Sequence, residues 1–125
     1  MGKIETHGVH ATEHEWETAK FFRNALDKRI DFIPLTDGHM VKNPDIEMDG
    51  VIWEIKAPEG GGKNTIRHNL ERAKKQSQNI IIDLRWCRIP DERAIKELKE
   101  RFELSKRFRR MKIITKLHEV LDFSK

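Results

Sequence analysis

The chain has 125 residues, 37% charged and 37% hydrophobic, with a formal net charge of +4. That length gives one domain with a real core and excludes two, and no apolar run approaches the roughly 18 residues that span a bilayer. The single cysteine, Cys87, excludes an internal disulfide and a cysteine zinc site, and Met1 to Glu5 lack the apolar region of a secretory signal. A reducing, cytoplasmic setting with no membrane partner is expected.

Residues 1–10 show no sustained periodicity and are expected to be a flexible N-terminal segment ahead of one domain over residues 11–125. Thr12, with Glu15 three residues later, spells a capping box. Trp16, Ala19, Phe21 or Phe22, Ala25 and Leu26 then recur at helical spacing, which predicts a helix from about 12 to 27. Residues 29–35 alternate as a strand, and Thr36-Asp37-Gly38-His39 reads as a polar loop.

The segment 43–56 predicts a β-hairpin. Asp49-Gly50 between alternating apolar residues signals a type I′ turn, which needs positive φ at both central positions. That register opposes Met48 to Val51, Glu47 to Ile52, Ile46 to Trp53 and Asp45 to Glu54. Ile46, Met48, Val51, Trp53 and Ile55 then share one face, and Asp45, Glu47, Ile52, Glu54 and Lys56 the other. Opposed side chains have Cβ atoms only about 5 Å apart, so Asp45 and Glu54 repel unless a cation lies between them. With the Ile55 carbonyl they make an all-oxygen site suited to Mg²⁺ or Mn²⁺. Lys56, on the same face, is placed to orient an attacking water or neutralise developing charge. Asp49 is read as a turn former and Glu47 as a reserve ligand.

Pro58-Glu59-Gly60-Gly61-Gly62 predicts a sharp loop. Asn64 or Thr65 caps a second helix running to about Ser77, with Ile66, Leu70 and Ala73 inward. Residues 79–84, an apolar run, predict a central strand covered on both faces. Pro90 opens a third helix, with Ile95, Leu98, Phe102 and Phe108 as its buried stripe. Residues 111–115 predict another strand and residues 118–123 a last one. Charge is asymmetric: residues 1–60 hold 7 Lys/Arg against 12 Asp/Glu, and residues 61–125 hold 18 against 9. Carboxylates in one half and cations in the other suit a metal-dependent nuclease, although charge taken alone favours the plainer reading of two differently solvated surfaces.

Three other patterns fail. His14-Glu15-Trp16-Glu17-Thr18 lacks the second histidine of a zinc-protease helix, and Gly60-Gly61-Gly62-Lys63 lacks the spacing of a phosphate loop. His7, His10 and His14 have no evident fourth ligand for zinc.

Pro44-Asp45, eight intervening residues and then Glu54-Ile55-Lys56 resemble the PD-(D/E)xK motif of the nuclease superfamily. The predicted order also resembles that superfamily's restriction-endonuclease-like αβββαβ core with a mixed sheet, here followed by a C-terminal helix and one or two strands. The resemblance implies that Asp45, Glu54 and the Ile55 carbonyl bind the metal and that Lys56 assists catalysis. It further implies a carboxylate from the first helix, for which Glu17 is chosen and Glu13 and Glu15 are alternatives. Phosphate or base contacts follow from the second helix, with Lys63, Thr65, Arg72 and Gln76 as candidates.

A closer likeness spans residues 14–19, 44–50, 53–56 and 75–84, which are similar to the C-terminal tRNase domains of CdiA-type contact-dependent growth-inhibition toxins. It implies metal-dependent cleavage of RNA, tRNA foremost, and an immunity protein as partner. Two alternatives stay open: a DNA endonuclease of the same superfamily, and a non-catalytic nucleic-acid-binding protein on a nuclease scaffold.

Overall fold

The computed structural model describes residues 2–34 and 45–125. Its elements in chain order are β1 (Lys3–Glu5), α1 (Glu13–Leu26), β2 (Arg29–Phe32), β3 (Ile46–Met48) and β4 (Val51–Lys56). There follow α2 (Thr65–Ala73), β5 (Asn79–Asp83), α3 (Asp91–Leu104), β6 (Arg110–Ile114) and β7 (Val120–Ser124). The strands form one mixed sheet whose spatial order is the chain order, β1 to β7. β1–β2, β4–β5 and β5–β6 are parallel and each pair is joined through a helix. β2–β3, β3–β4 and β6–β7 are antiparallel. Parallel neighbours need a long crossover, which the three helices supply, whereas the short connections between β3 and β4 and between β6 and β7 permit only antiparallel pairing.

The sheet separates two cores. On one face Ala19, Phe21 and Phe22 of α1 cover Ile30, Phe32, Ile46, Met48, Trp53, Ile55 and Ile81. On the other, Ile66 and Leu70 of α2 and Leu98 and Phe102 of α3 cover Ile80, Ile82, Met111 and Ile113. β5 is buried on both faces, as its continuous apolar run predicts. The capping box forms: the Thr12 hydroxyl accepts from the Glu15 N–H, and the Glu15 carboxylate accepts from the Thr12 N–H at 2.8 Å. The hairpin turn has Asp49 at φ 56° and Gly50 at φ 74°, and the pairs Ile46–Trp53, Glu47–Ile52 and Met48–Val51 match the predicted register.

Four expectations need correction. Residues 1–10 are not wholly loose, since Lys3–Glu5 pairs in parallel with Arg29–Asp31; three residues are too few to show a period in sequence. α2 stops at Ala73 rather than Ser77, because the Ser77 hydroxyl bonds the Ile52 carbonyl at 3.0 Å and ties the chain to β4. Phe108 is buried but lies beyond α3, where the Ser105 hydroxyl accepts its N–H in a turn. The last strand begins at Val120, since His118 takes a left-handed turn conformation at φ 65°. The expected loop at Thr36–His39, the end of the strand predicted to Leu35, and Pro44 lie outside the described residues. No helix among the described residues is long and apolar enough to cross a membrane.

Candidate cation site

The site forms at the end of β4, where its β3 neighbour has run out. Glu54 and Lys56 stand in register with Ile80 and Ile82 of β5, which places them on the face that α2 and α3 cover. Glu54 is 5% exposed. Its Oε2 lies 3.2 Å from the Lys56 ammonium, and its Oε1 has no hydrogen-bond partner among the described residues. A buried carboxylate oxygen without a partner carries a large desolvation cost, and native proteins rarely leave one without a use.

Asp45 stands one residue before β3 and departs from the regular ladder. Its N–H donates to the Trp53 carbonyl at 3.0 Å, its carbonyl accepts from the Ile33 N–H at 3.0 Å, and its Oδ2 accepts from the Ile55 N–H at 2.7 Å. It therefore folds over the β4 backbone instead of continuing as a cross-strand pair. In an extended strand one residue's N–H and C=O point to the same edge. The Ile55 carbonyl thus points to the edge where Asp45 lies.

Burial, then the nearby Glu54 charge, push the Asp45 carboxyl up to about 9, against the pull of the Ile55 N–H. Burial raises Glu54 as well, with Lys56 opposing the shift. The pair resists carrying two negative charges unless a cation compensates them. Among the described residues no three His, Cys, Asp or Glu side chains close into a ligand set. Two carboxylates and one carbonyl nevertheless fit a Mg²⁺ or Mn²⁺ that keeps several waters.

The first-helix carboxylate that reaches this pair is Glu15, not Glu17. Glu15 raises the Asp45 pKa through its charge and a side-chain hydrogen bond, and adds to the repulsion on Glu54. Glu17 instead pairs with Lys20 at 2.7 Å, which holds its carboxyl below the usual range. It lines a separate depression with Lys20, Phe21, Asn24 and Arg85. Residues two apart on a helix point about 200° apart, so the two glutamates serve opposite flanks. Glu15 shares the inward stripe of Thr18, Ala19 and Phe22, and that helical spacing is the sequence signal that separates it from Glu17.

Of the α2 candidates, Thr65 and Arg72 line one cleft with His68, Asn69, Ala57 and Pro58, the last two following Lys56 in the chain. Lys63 is exposed on the turn before α2 and Gln76 is partly buried past its end, and neither lines that cleft. Cys87 is a buried thiol directed at the Gly60 carbonyl, 3.6 Å away.

Two features had no sequence signal. His14 Nε2 meets Glu59 Oε1 at 2.7 Å, and its ring lies 4.2 Å from that of Trp86, centroid to centroid. This ties the loop after β4 to the start of α1. Behind it Asp83, fully buried, accepts from the Thr18 hydroxyl at 2.7 Å and from the Arg85 guanidinium at 2.7 to 3.2 Å.

Fold and site together define a class: a small mixed α/β domain with a largely buried two-carboxylate site beside a lysine. The fold is shared with a solved structure, the "CdiA-CT/CdiI toxin and immunity complex from Burkholderia pseudomallei". Identity to that chain is 16% and the TM-score 0.72, over 99% of this chain and 100% of that one. The family model of the contact-dependent growth inhibition CdiA C-terminal domain matches residues 42–120, and the chain belongs to that family. The search of curated proteins found no match.

Proposed function

We propose that this domain is a divalent-cation-dependent nuclease of the PD-(D/E)xK kind that cuts RNA, with tRNA as the foremost substrate. The observation that carries the reading is the buried Glu54 beside the half-buried Asp45, with an unpartnered Glu54 oxygen and Lys56 at 3.2 Å. Membership of the CdiA C-terminal family supports a toxic nuclease activity.

Asp45, Glu54 and the Ile55 carbonyl would hold Mg²⁺ or Mn²⁺. Such a cation lowers the pKa of water and stabilises charge on a phosphoryl oxygen. Lys56 orients the attacking water and neutralises charge as it develops on phosphate oxygens. Glu15 adds a further negative charge beside the Asp45–Glu54 pair, which raises the cost of ionising it without a cation and so favours the cation-bound, deprotonated state. Thr65 and Arg72, lining the cleft with Ala57 and Pro58, supply phosphate contacts. The solved relative was captured with its immunity protein, and by that likeness we assign this domain a dedicated inhibitory protein as partner.

The test is digestion of tRNA, duplex DNA and single-stranded DNA by the purified chain with Mg²⁺ or Mn²⁺. Cleavage of tRNA that stops with chelator, Asp45→Ala or Lys56→Ala is expected. Undiminished cleavage by those variants would refute the site, and preferential cutting of DNA would move the substrate to the superfamily's other class.

A further inference from the structure

We propose that the groove between α2 and the end of α3 is a second binding site for a nucleic-acid phosphate backbone, outside the cleavage site. The identity of the chain it grips rests on the nuclease reading; the anion chemistry does not. The groove has a volume of about 440 Å³ and is lined by Arg67, Lys74, Arg101, Lys106 and Arg107 against one acid, Glu71. Arg67 is 3.8 Å from Glu71, and Arg101 is held by Glu97 at 2.7 Å. The Arg107 guanidinium is fixed by the Lys74 carbonyl at 3.0 Å, so one donor fork is already positioned. Lys74 and Lys106 are exposed and have no ion pair among the described residues. Converging cations with so few counter-charges repel, and a polyanion relieves that repulsion while releasing its own counterions.

Position selects a nucleic acid among polyanions. Thr65, His68, Asn69 and Arg72 face the cleft lined by Ala57 and Pro58, whereas Arg67, Glu71 and Lys74 face the groove. At 100° per residue these sets lie on opposite flanks of α2. A helix is about 10–12 Å across with its side chains, or about three steps of ~3.4 Å along one strand. A polynucleotide held in the cleft lined by Thr65 and Arg72 therefore reaches the groove on the other flank of α2 within a few nucleotides. Leu104, 83% exposed at the groove, offers an apolar surface to a sugar or base.

The experiment is fluorescence anisotropy of labelled tRNA with the full chain, without divalent cations, across a NaCl titration. Lys74→Glu with Lys106→Glu is expected to weaken binding about tenfold near 0.1 M salt. The slope of log K against log salt should become shallower by about 1.4 to 1.8, from about 0.7 to 0.9 per lost phosphate contact in single- and double-stranded regions. Lys96→Glu with Lys99→Glu, exposed on α3, makes the same change in net charge and is expected to retain most of the affinity. An unchanged affinity and slope in the groove variant, or an equal loss in the α3 control, overturns the proposal. So does poly-glutamate binding as tightly as tRNA and failing with the groove variant, because the site would then take an acidic protein. Binding is read without turnover: a wild-type chain that binds but never cuts refutes the nuclease reading and leaves the groove standing.

Discussion

Two buried carboxylates sit near the carboxyl ends of neighbouring parallel strands, and they are treated in opposite ways. Asp83 on β5 is completely enclosed, with the Thr18 hydroxyl and the Arg85 guanidinium satisfying its oxygens. Glu54 on β4 is nearly as buried, yet it has an oxygen without a partner and Asp45 for a neighbour. Burial alone therefore does not mark a functional carboxylate. Asp83 closes its network and stabilises the fold; Glu54 leaves a demand that a cation would meet.

The comparison is broken most directly at Asp83. Asp83→Ala leaves the Arg85 guanidinium, 16% exposed, without its carboxylate, and is expected to cost about 3–5 kcal/mol in chemical denaturation. A variant as stable as the parent would show that the network does not hold α1 to β5. Glu54→Gln should do the reverse. Cleavage should fall by at least about 10²-fold, near 3 kcal/mol of barrier, while thermal stability without metal holds or rises. A variant that unfolds instead would make Glu54 a second structural carboxylate.

What could be read in advance follows from how local each cause is. Asp49-Gly50 fixes a two-residue turn, the turn fixes the register, and so Glu54 and Lys56 were legible on one face. Asp45 was legible as their neighbour, though not its turn onto the Ile55 N–H, which depends on where β3 stops. Glu15 is within reach of sequence, since it stands on the buried stripe of Thr18, Ala19 and Phe22 as well as in the capping box, whereas Glu17 is off that stripe. Thr18 and Asp83 are 65 residues apart, and no period or motif announces such a bond. β1 was missed because three residues cannot display alternation, and α2 was overextended because Ser77 is held by β4.

The open carboxylates also predict an unusual pH response. The folded-state value for Asp45, about 9, lies above its ordinary 3.8. The folded chain therefore binds more protons than the unfolded one between those limits, and metal-free stability should fall as pH rises through that window. The expected loss is about 1–3 kcal/mol, well under the full linkage value because Glu54 shares the proton. Asp45→Asn should flatten the slope, and Mg²⁺ or Mn²⁺ should restore stability most at high pH, by about 2.7 kcal/mol at a hundredfold excess over Kd. Thermal melts across pH with and without metal measure both effects. A slope that Asp45→Asn leaves untouched would place the proton elsewhere.

Asp31 supplies the third arrangement, a satisfied carboxylate that stays wet. Arg29 holds it at 3.0 Å and His7 at 2.9 Å, and its side chain is 25% exposed. Hydrogen bonds from Arg29 and then His7 bring its pKa down to about 2 from 3.8. Here the sign reverses: the contribution is present above the ordinary value and is lost as pH falls toward 2. Solvent screens the pairs, so Asp31→Asn should cost no more than about 1 kcal/mol at neutral pH. Denaturation at pH 7 and pH 2.5 should show the variant and parent converging in acid. A larger cost at pH 7 would mean that Asp31 holds β1 to β2 through more than charge, in the manner of Asp83.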